Sequence, residues 1–172
     1  MKLVILGAGG FARETIVLAK QVLDEGDIIL GSLEAKRSSK GTLIEGVSIL
    51  GSVNSWINTE RNDNISVVCA IGNPKRKQKA IKELPNKISF ATLVHPEVFL
   101  NDNIIIGEGS IICSGTKLTT NIIIGRHVII NLSCTIGHDV IIGDYCTISP
   151  GVHLSGGTII EAEVEMGTGS VT

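Results

Sequence analysis

The chain has few aromatic residues and no excess of positive charge. Its 172 residues include one tryptophan, one tyrosine and three phenylalanines, and the formal net charge at pH 7 is −2. Nucleic-acid-binding proteins usually present basic patches and stacking rings, so this composition argues against that class. A long apolar run is also missing: the first residues form a short apolar strand followed by glycines, which fits neither a signal peptide nor a membrane span. We therefore expect a cytoplasmic protein.

Cysteines are few, and none of them forms a CxxC motif. The four are Cys69, Cys113, Cys134 and Cys146. Cysteine pairs at metal-ligand spacing would indicate a zinc site or a disulfide framework, whereas isolated thiols commonly pack in protein cores. We expect neither a metal site nor a disulfide.

The second half of the chain instead contains a repeat of six residues. A helix repeats near 3.6 residues and a strand near 2, so a period of six predicts short strands separated by turns and stacked as a parallel β-helix. A second series, two residues earlier in each six, is small or apolar from Val98 to Val164, and the two series should fill the inside of the coil. The first series is Leu100, Ile106, Ile112, Leu118, Ile124, Ile130, Ile136, Ile142, Ile148, Leu154, Ile160 and Met166.

The same segment repeats every eighteen residues, with IIIG at 104–107 and 122–125, VIIG at 140–143 and TIIE at 158–161. Three sixes per repeat predict a coil of three sides that rises about 4.8 Å per turn. Glycine after the inward aliphatic residue suits a corner, where the chain needs positive φ or close backbone approach. Outward isoleucines would leave apolar faces on a lone prism, so we expect a homotrimer of prisms side by side. These residues are Ile123, Ile129, Ile141 and Ile159.

The first half is predicted to be a separate α/β domain, residues 1–90, followed by the coil at 91–172. Alternating strands and helices indicate a small, parallel, Rossmann-like sheet. The predicted strands are 2–6, 27–33, 65–71 and 89–94; the helices follow the GAGG turn and lie near 53–59 and at 74–84.

The GAGG turn at 7–10 places backbone N–H groups and a helix N-terminus where an anion could bind. It lacks the last glycine of the dinucleotide fingerprint GxGxxG, since that position is Ala12. Three interpretations are compatible with this motif: a tight turn without a ligand, NAD(H) binding, and binding of one nucleotide or nucleotide sugar.

Of the four histidines, His95 precedes the six-residue repeat and the other three fall within it. Counted from the inward residue of each six, His127 is at offset three, His138 at two and His153 at five, so all three should point outward. His138 lies at a corner beside Asp139, and Gly156, eighteen residues later, should leave open space above it. Such a histidine can remove a proton from a substrate, and the carboxylate raises the basicity of the ring. The alternative is that GHD is only a solvated polar corner.

Taken together, the motifs resemble those of the NeuD/PglD-type bacterial sugar acetyltransferases, which belong to the hexapeptide-repeat acyltransferase superfamily. They are the GAGG turn of a small α/β domain, GNPKRKQ at 72–78, LVHPEV at 93–98, and a six-residue coil that carries GHDVIIGDY and SPGVHLSGG. The resemblance covers nearly the whole chain and implies a left-handed β-helix. It also implies an acetyl-CoA-dependent acetyltransferase that modifies an amino or hydroxyl group of a nucleotide-linked sugar or sialic acid in surface polysaccharide or glycan synthesis.

The resemblance also assigns roles to single residues. His138 would act as the general base, and Asp139 would tune it. The family commonly has a histidine where this chain has Phe11, and often another where it has Thr147. The positions implied for the sugar nucleotide are Gly9, Gly10, Phe11, Glu34 and Gly72, and those for acetyl-CoA are Thr147, Gly156 and Thr168.

The repeat is still in register at Thr172, whereas relatives usually add one or two coils. Two interpretations follow: C-terminal coils are missing from this sequence, or the chain is a naturally short, degenerate member of the family. A rival function of another class is a catalytically silent β-helix scaffold that binds a nucleotide sugar and organises or regulates a partner enzyme. Turnover of acetyl-CoA would separate the two hypotheses. A dinucleotide-dependent oxidoreductase would instead require NAD(H) at the GAGG turn.

Overall fold

The structure is a computed structural model that describes residues 1–34, 40–59 and 64–172. The chain divides into two compact units. The first consists of Met1–Gly72 and Arg76–Ala91, and the second of Asn73–Lys75 and Thr92–Thr172. Within the described ranges, no helix has the length and apolar character needed to cross a membrane.

The N-terminal part alternates strands and helices around one six-stranded sheet. Its elements are β1 (Lys2–Leu6), α1 (Gly10–Val22), β2 (Ile28–Leu33), β3 (Leu43–Ile44), β4 (Val47–Gly51), α2 (Val53–Thr59), β5 (Ile65–Cys69), α3 (Pro74–Lys82) and β6 (Ser89–Phe90). The strand order is β3-β4-β2-β1-β5-β6, and the pairs are parallel apart from β3 with β4. The predicted parallel, Rossmann-like sheet is confirmed.

Strand β1 is the centre of this sheet because it pairs with β2 on one side and β5 on the other. Its residues Leu3 to Leu6 are fully buried, as expected for a parallel strand covered on both faces. Helix α1 buries Ala12, Ile16 and Ala19, which recur at the spacing of a single helix face.

Two features of this unit differ from the sequence prediction. The β3–β4 hairpin was not predicted; its two central residues, Glu45 and Gly46, have φ of 47° and 77°, the signs of a type I′ turn. The predicted strand at 89–94 is divided in two, since β6 joins the six-stranded sheet whereas β7 (Leu93–Val94) pairs with the strand Ile111–Ile112 of the coil. Apolar character alone could not separate these two short strands.

The second unit is the predicted left-handed β-helix. After β7 its strands are β8 (Ile104–Ile106), β9 (Ile111–Ile112), β10 (Lys117–Leu118), β11 (Ile122–Ile124), β12 (Ile129–Ile130), β13 (Thr135–Ile136), β14 (Ile141–Ile142), β15 (Thr147–Ile148), β16 (His153–Leu154), β17 (Ile159–Ile160) and β18 (Glu165–Met166). They form three parallel sheets, one per side: β10-β13-β16, β17-β14-β11-β8 and β18-β15-β12-β9-β7. Paired residues are eighteen positions apart, as Ile123 with Ile141.

The inside of the coil is filled as the period of six predicts. From Ile112 to Leu154 every residue of the first series is at most 7% exposed. Small polar residues of the second series are also buried: the Ser110 hydroxyl donates to the Gly125 carbonyl (2.9 Å) and accepts from the Val128 N–H (3.0 Å). The prediction for Leu100 is wrong, because this residue is 43% exposed, before the first full coil.

Every corner of the prism has a residue in the left-handed region three positions after an inward aliphatic residue. Of the two reasons predicted for a glycine directly after the aliphatic residue, positive φ or close backbone approach, the structure shows the close approach: a Cβ at Gly107 would lie 2.5 Å from the Gly125 backbone. The positive-φ residues form three columns: Gly109, His127, Tyr145 and Glu163; Gly115, Ser133, Gly151 and Gly169; and Asn121, Asp139 and Gly157.

One outward isoleucine is not part of an exposed surface. Ile123, Ile141 and Ile159 are 43%, 40% and 64% exposed, whereas Ile129 is 1% exposed, so its predicted exposure is wrong. Residues Asn73–Lys75 also belong to this unit, and the Asn73 amide donates to Glu165 (3.4 Å) on the sheet that contains Ile129. The period identifies outward positions but does not show which of them are buried.

Candidate active site

The structure brings His138 and Asp139 together at a corner between β13 and β14. The Nδ1 atom of His138 lies 2.7 Å from Oδ2 of Asp139. Neighbouring side chains on a straight strand point to opposite faces, but Asp139 has φ of 61°, and this bend lets the two side chains meet. An ionised carboxylate can only accept, so Nδ1 carries the proton and donates it, and in the neutral imidazole this leaves Nε2 as an acceptor.

A third side chain holds the other oxygen of this carboxylate. Asn121, at the same corner one coil earlier, donates from its side-chain amide to Oδ1 of Asp139. This hydrogen bond, followed by the one from His138, lowers the pKa of Asp139 below its ordinary value. Asn121 was not among the predicted site residues. The repeat contained the signal, since position 121 precedes position 139 by eighteen.

The coil above fixes the position of the imidazole. A Cβ added at Gly156 would overlap the His138 ring, so only glycine leaves room for the ring as it stands. The space that the sequence predicted to be open is therefore filled by the ring itself. The backbone around it is also tied to the next coil, because the His138 carbonyl accepts from the N–H of Gly157 (2.8 Å).

The other histidines of the coil differ in exposure. His138 and His153 are exposed as predicted, and Nδ1 of His153 lies 2.7 Å from the Thr135 hydroxyl. The prediction that His127 also points into solvent is wrong, because this residue is 1% exposed. Its ring stacks on that of Tyr145 in the next coil, with centroids 5.3 Å apart. A corner residue with positive φ can thus lie along the prism axis instead of projecting away from it.

The positions predicted to bind the sugar nucleotide meet at one edge of the six-stranded sheet. Gly9, Gly10 and Phe11 follow β1, Glu34 follows β2, and Gly72 lies beyond β5. These strands are adjacent and parallel, so their carboxyl ends share this edge. It is the usual place for a ligand in an open α/β sheet.

This edge offers backbone donors with little steric hindrance. Gly9 is the N-cap of α1 and has no side chain that could cap the first N–H groups of the helix. A Cβ at Gly9 or Gly72 would meet nothing within 4 Å. Gly7, with φ of 133°, packs so closely that a Cβ would lie 2.9 Å from the Ala70 carbonyl oxygen. An uncapped helix N-terminus beside open glycines fits a phosphate group.

The three positions predicted to contact acetyl-CoA lie on different elements of the coil. Gly156 lies against His138, as described above. Thr147 is 5% exposed on β15, which belongs to a different sheet from β13 and β14. Thr168 is exposed in the turn after β18. Contacts of Thr147 and Thr168 with acetyl-CoA stay predictions.

Comparison with known proteins adds a second kind of evidence. The PglD N-terminal domain family matches residues 2–84, and the bacterial transferase hexapeptide family (six repeats) matches residues 121–156. GDP-perosamine N-acetyltransferase of Escherichia coli O157:H7 is 31% identical over 97% of this chain and 76% of its own length. The chain belongs to the NeuD/PglD-type hexapeptide-repeat acetyltransferases. As a member of this family it is a sugar acetyltransferase that uses acetyl-CoA as cosubstrate.

Solved structures of similar proteins have the same fold. The acetyltransferase domain of PglB from Neisseria gonorrhoeae FA1090, in complex with acetyl coenzyme A, has a TM-score of 0.86 and 26% identity, with 99% of this chain and 80% of that chain covered. PerB from Caulobacter crescentus, in complex with CoA and GDP-perosamine, has a TM-score of 0.76. It is 22% identical, with 100% of this chain and 88% of that chain covered, and its similarity shows the fold alone.

Proposed function

We propose that this acetyltransferase transfers the acetyl group of acetyl-CoA to the amine of a nucleotide-linked amino sugar, with His138 as general base. The observation that carries the proposal is the pair formed by His138 and Asp139. The imidazole is 67% exposed, its Nδ1 donates to the carboxylate, and its Nε2 is left to accept a proton. The solvated-corner alternative would not require a glycine at position 156 to make room for the ring.

The chemistry follows from this arrangement. The sugar amine attacks the thioester carbonyl carbon of acetyl-CoA and forms a C–N bond, while Nε2 of His138 takes a proton from the attacking nitrogen. Collapse of the tetrahedral intermediate breaks the C–S bond, and the imidazolium returns the proton to the sulfur of the leaving group. The products are the N-acetylated sugar and CoA thiol. Asp139 stabilises the imidazolium formed between these steps.

The substrate class is supported by the first unit and by one relative. The N-terminus of α1 and the open glycines Gly9, Gly10 and Gly72 suit a diphosphate, and Glu34 at the same edge suits a ribose or base donor. The relative from Escherichia coli is named for acetylation of GDP-perosamine, a nucleotide-linked amino sugar. In this proposal residues 1–90 bind the nucleotide and residues 91–172 perform the transfer, in the cytoplasm, where acetyl-CoA is made.

Release of free CoA thiol with a panel of GDP-linked and UDP-linked amino sugars tests this function. We expect turnover with at least one amino sugar, and none with the matching sugar that has a hydroxyl in place of the amine. Binding of a nucleotide sugar without turnover of any donor would favour the silent scaffold. Turnover of the hydroxyl analogue alone would show O-acetylation and contradict the proposed acceptor group.

We also propose a homotrimer formed along the sheet that contains β11 and β14. Ile105, Ile123, Ile141 and Ile159 form an exposed column there, one residue per coil. Such an apolar stripe on a flat sheet is typical of an interface. Light scattering should give about three times the mass of 18.2 kDa. Ile141→Lys should lower this mass, whereas Thr135→Lys, on another sheet, should not; a wild-type monomer would contradict the proposal.

A further inference from the structure

One amide reaches the proposed catalytic pair from a neighbouring coil. Asn121 donates to Oδ1 of Asp139, and Oδ2 of the same carboxylate accepts from Nδ1 of His138 (2.7 Å). The carboxylate therefore joins an amide on one coil to an imidazole on the next. This amide has no contact with the reacting atoms in the mechanism above, so its role needs its own explanation.

We propose that Asn121 is a positioning residue for acetyl transfer: it fixes the Asp139 carboxylate, which in turn holds His138 in the tautomer whose Nε2 accepts the substrate proton. This inference rests on the proposed role of His138 as general base. It predicts that loss of the Asn121 amide changes the tautomer and the turnover rate while the protein remains folded.

Asp139 needs such an anchor because its own surroundings restrain it little. Its side chain is 54% exposed, and the imidazole that it binds is 67% exposed. A solvated carboxylate with one hydrogen bond can rotate and offer either oxygen, or exchange its partner for water. A second bond to the other oxygen fixes the plane of the carboxylate. The lowered pKa of Asp139 has the Asn121 amide as its first cause, which agrees with a carboxylate kept ionised as an acceptor.

The fold itself does not require the Asn121 side chain. Asn121, Asp139 and Gly157 are in the same column of corners, with φ of 55°, 61° and 72°. Gly157 shows that this corner forms without any side chain. Asn121→Gly should therefore retain the backbone and remove only the amide, since glycine has no steric penalty at positive φ.

The experiment compares Asn121→Gly with Ser133→Gly. Ser133 has φ of 57°, is exposed, and lies in a different corner column, so it matches the backbone change away from the catalytic pair. For each variant of the 172-residue chain, kcat, both KM values and the melting temperature are measured, and ¹⁵N NMR of the imidazoles reports the tautomer of His138. Asn121→Asp is the second variant, because it retains the shape and the tolerance of positive φ but replaces the donor with a second carboxylate.

We expect Asn121→Gly to lower kcat about tenfold, a part of the roughly 10²- to 10⁴-fold that a general base supplies, with KM values nearly unchanged. The Nδ1–H tautomer of His138 should give way to a mixture. Asn121→Asp should lose at least as much, because two adjacent carboxylates repel. Ser133→Gly should match wild type in kcat and tautomer.

Two other outcomes have distinct meanings. If His138→Ala is inactive but Asn121→Gly matches Ser133→Gly in kcat and tautomer, the positioning role is overturned and the proposed function stands. A loss of kcat with an unchanged tautomer and a lowered melting temperature would also overturn it, in favour of a structural role. If His138→Ala retains full turnover, the proposed base fails and the role of Asn121 fails with it.

Discussion

Two corners of the same prism carry a histidine, and their environments are opposite. His127 is the positive-φ corner residue itself, 1% exposed and stacked on Tyr145. His138 stands one position before such a residue, is 67% exposed, and pairs with Asp139, which has the positive φ. A shift of one position within the six-residue frame thus separates a buried ring from an accessible one.

This difference shows how a regular fold can provide both structural and reactive positions. At its positive-φ corner the His127 ring stacks on Tyr145, at the same corner of the next coil. One position earlier the side chain projects outward, where a substrate can reach it. The corner residue then becomes its neighbour and partner. The following predictions test whether the two histidines differ in function as they do in position.

Removal of the accessible ring should have the largest effect on turnover. His138→Ala should lower kcat by roughly 10²-fold or more and leave nucleotide-sugar binding nearly intact, because the lost interaction belongs to the transition state. Single-turnover kinetics and calorimetry measure the two quantities. His127→Asn is the matched control, since asparagine tolerates positive φ, and it should retain kcat. Equal kcat in both variants would mean that the two corners do not differ in function.

Displacing the accessible ring should cost less than removing it. In Gly156→Ala the new methyl group would overlap the His138 imidazole, so the ring must move from its position beside Asp139. We expect kcat to fall about tenfold, since the base is present but misplaced. The control is Gly167→Ala, because a Cβ there would meet only the Ser170 hydroxyl, at 3.9 Å. If both alanine variants retain full activity, the room that Gly156 leaves for the His138 ring does not contribute to kcat.

The buried ring should matter for stability instead. His127→Asn removes the stack on Tyr145 and leaves a gap above Gly109, whose added Cβ would overlap the His127 ring. We expect the free energy of unfolding to fall by about 1 to 3 kcal/mol, the usual range for a core truncation. Denaturant unfolding gives this value, with His138→Ala as the comparison. A larger loss of stability in His138→Ala than in His127→Asn would reverse the proposed division of roles.

The period of six predicted most of the inside of the coil, because it places an aliphatic residue there at every sixth position, among them Ile112, Ile130 and Ile148. It predicted neither the burial of Ile129 nor the exposure of Leu100, which lies before the first full coil. The sequence placed Asp139 beside His138. The contact of their side chains depends on the φ of 61° at Asp139, which the repeat pattern did not predict.

The smallest expected effect concerns the carboxylate that distinguishes the two corners. The pKa of Asp139 is lowered in the folded protein, first by the Asn121 amide and then by His138. A group with a lowered folded-state pKa contributes stability above its pKa in the unfolded chain, about 4, and loses it as pH falls through the folded-state value.

The melting temperature of Asp139→Asn should therefore lie slightly below that of wild type from pH 7 to pH 5, and the gap should close below pH 4. Because this side chain is half exposed, solvent screens the interaction and the gap will be small. Circular dichroism melts at pH 7, 5, 4 and 3 measure it, and a gap that persists unchanged at pH 3 would show that the ionised carboxylate does not stabilise this corner.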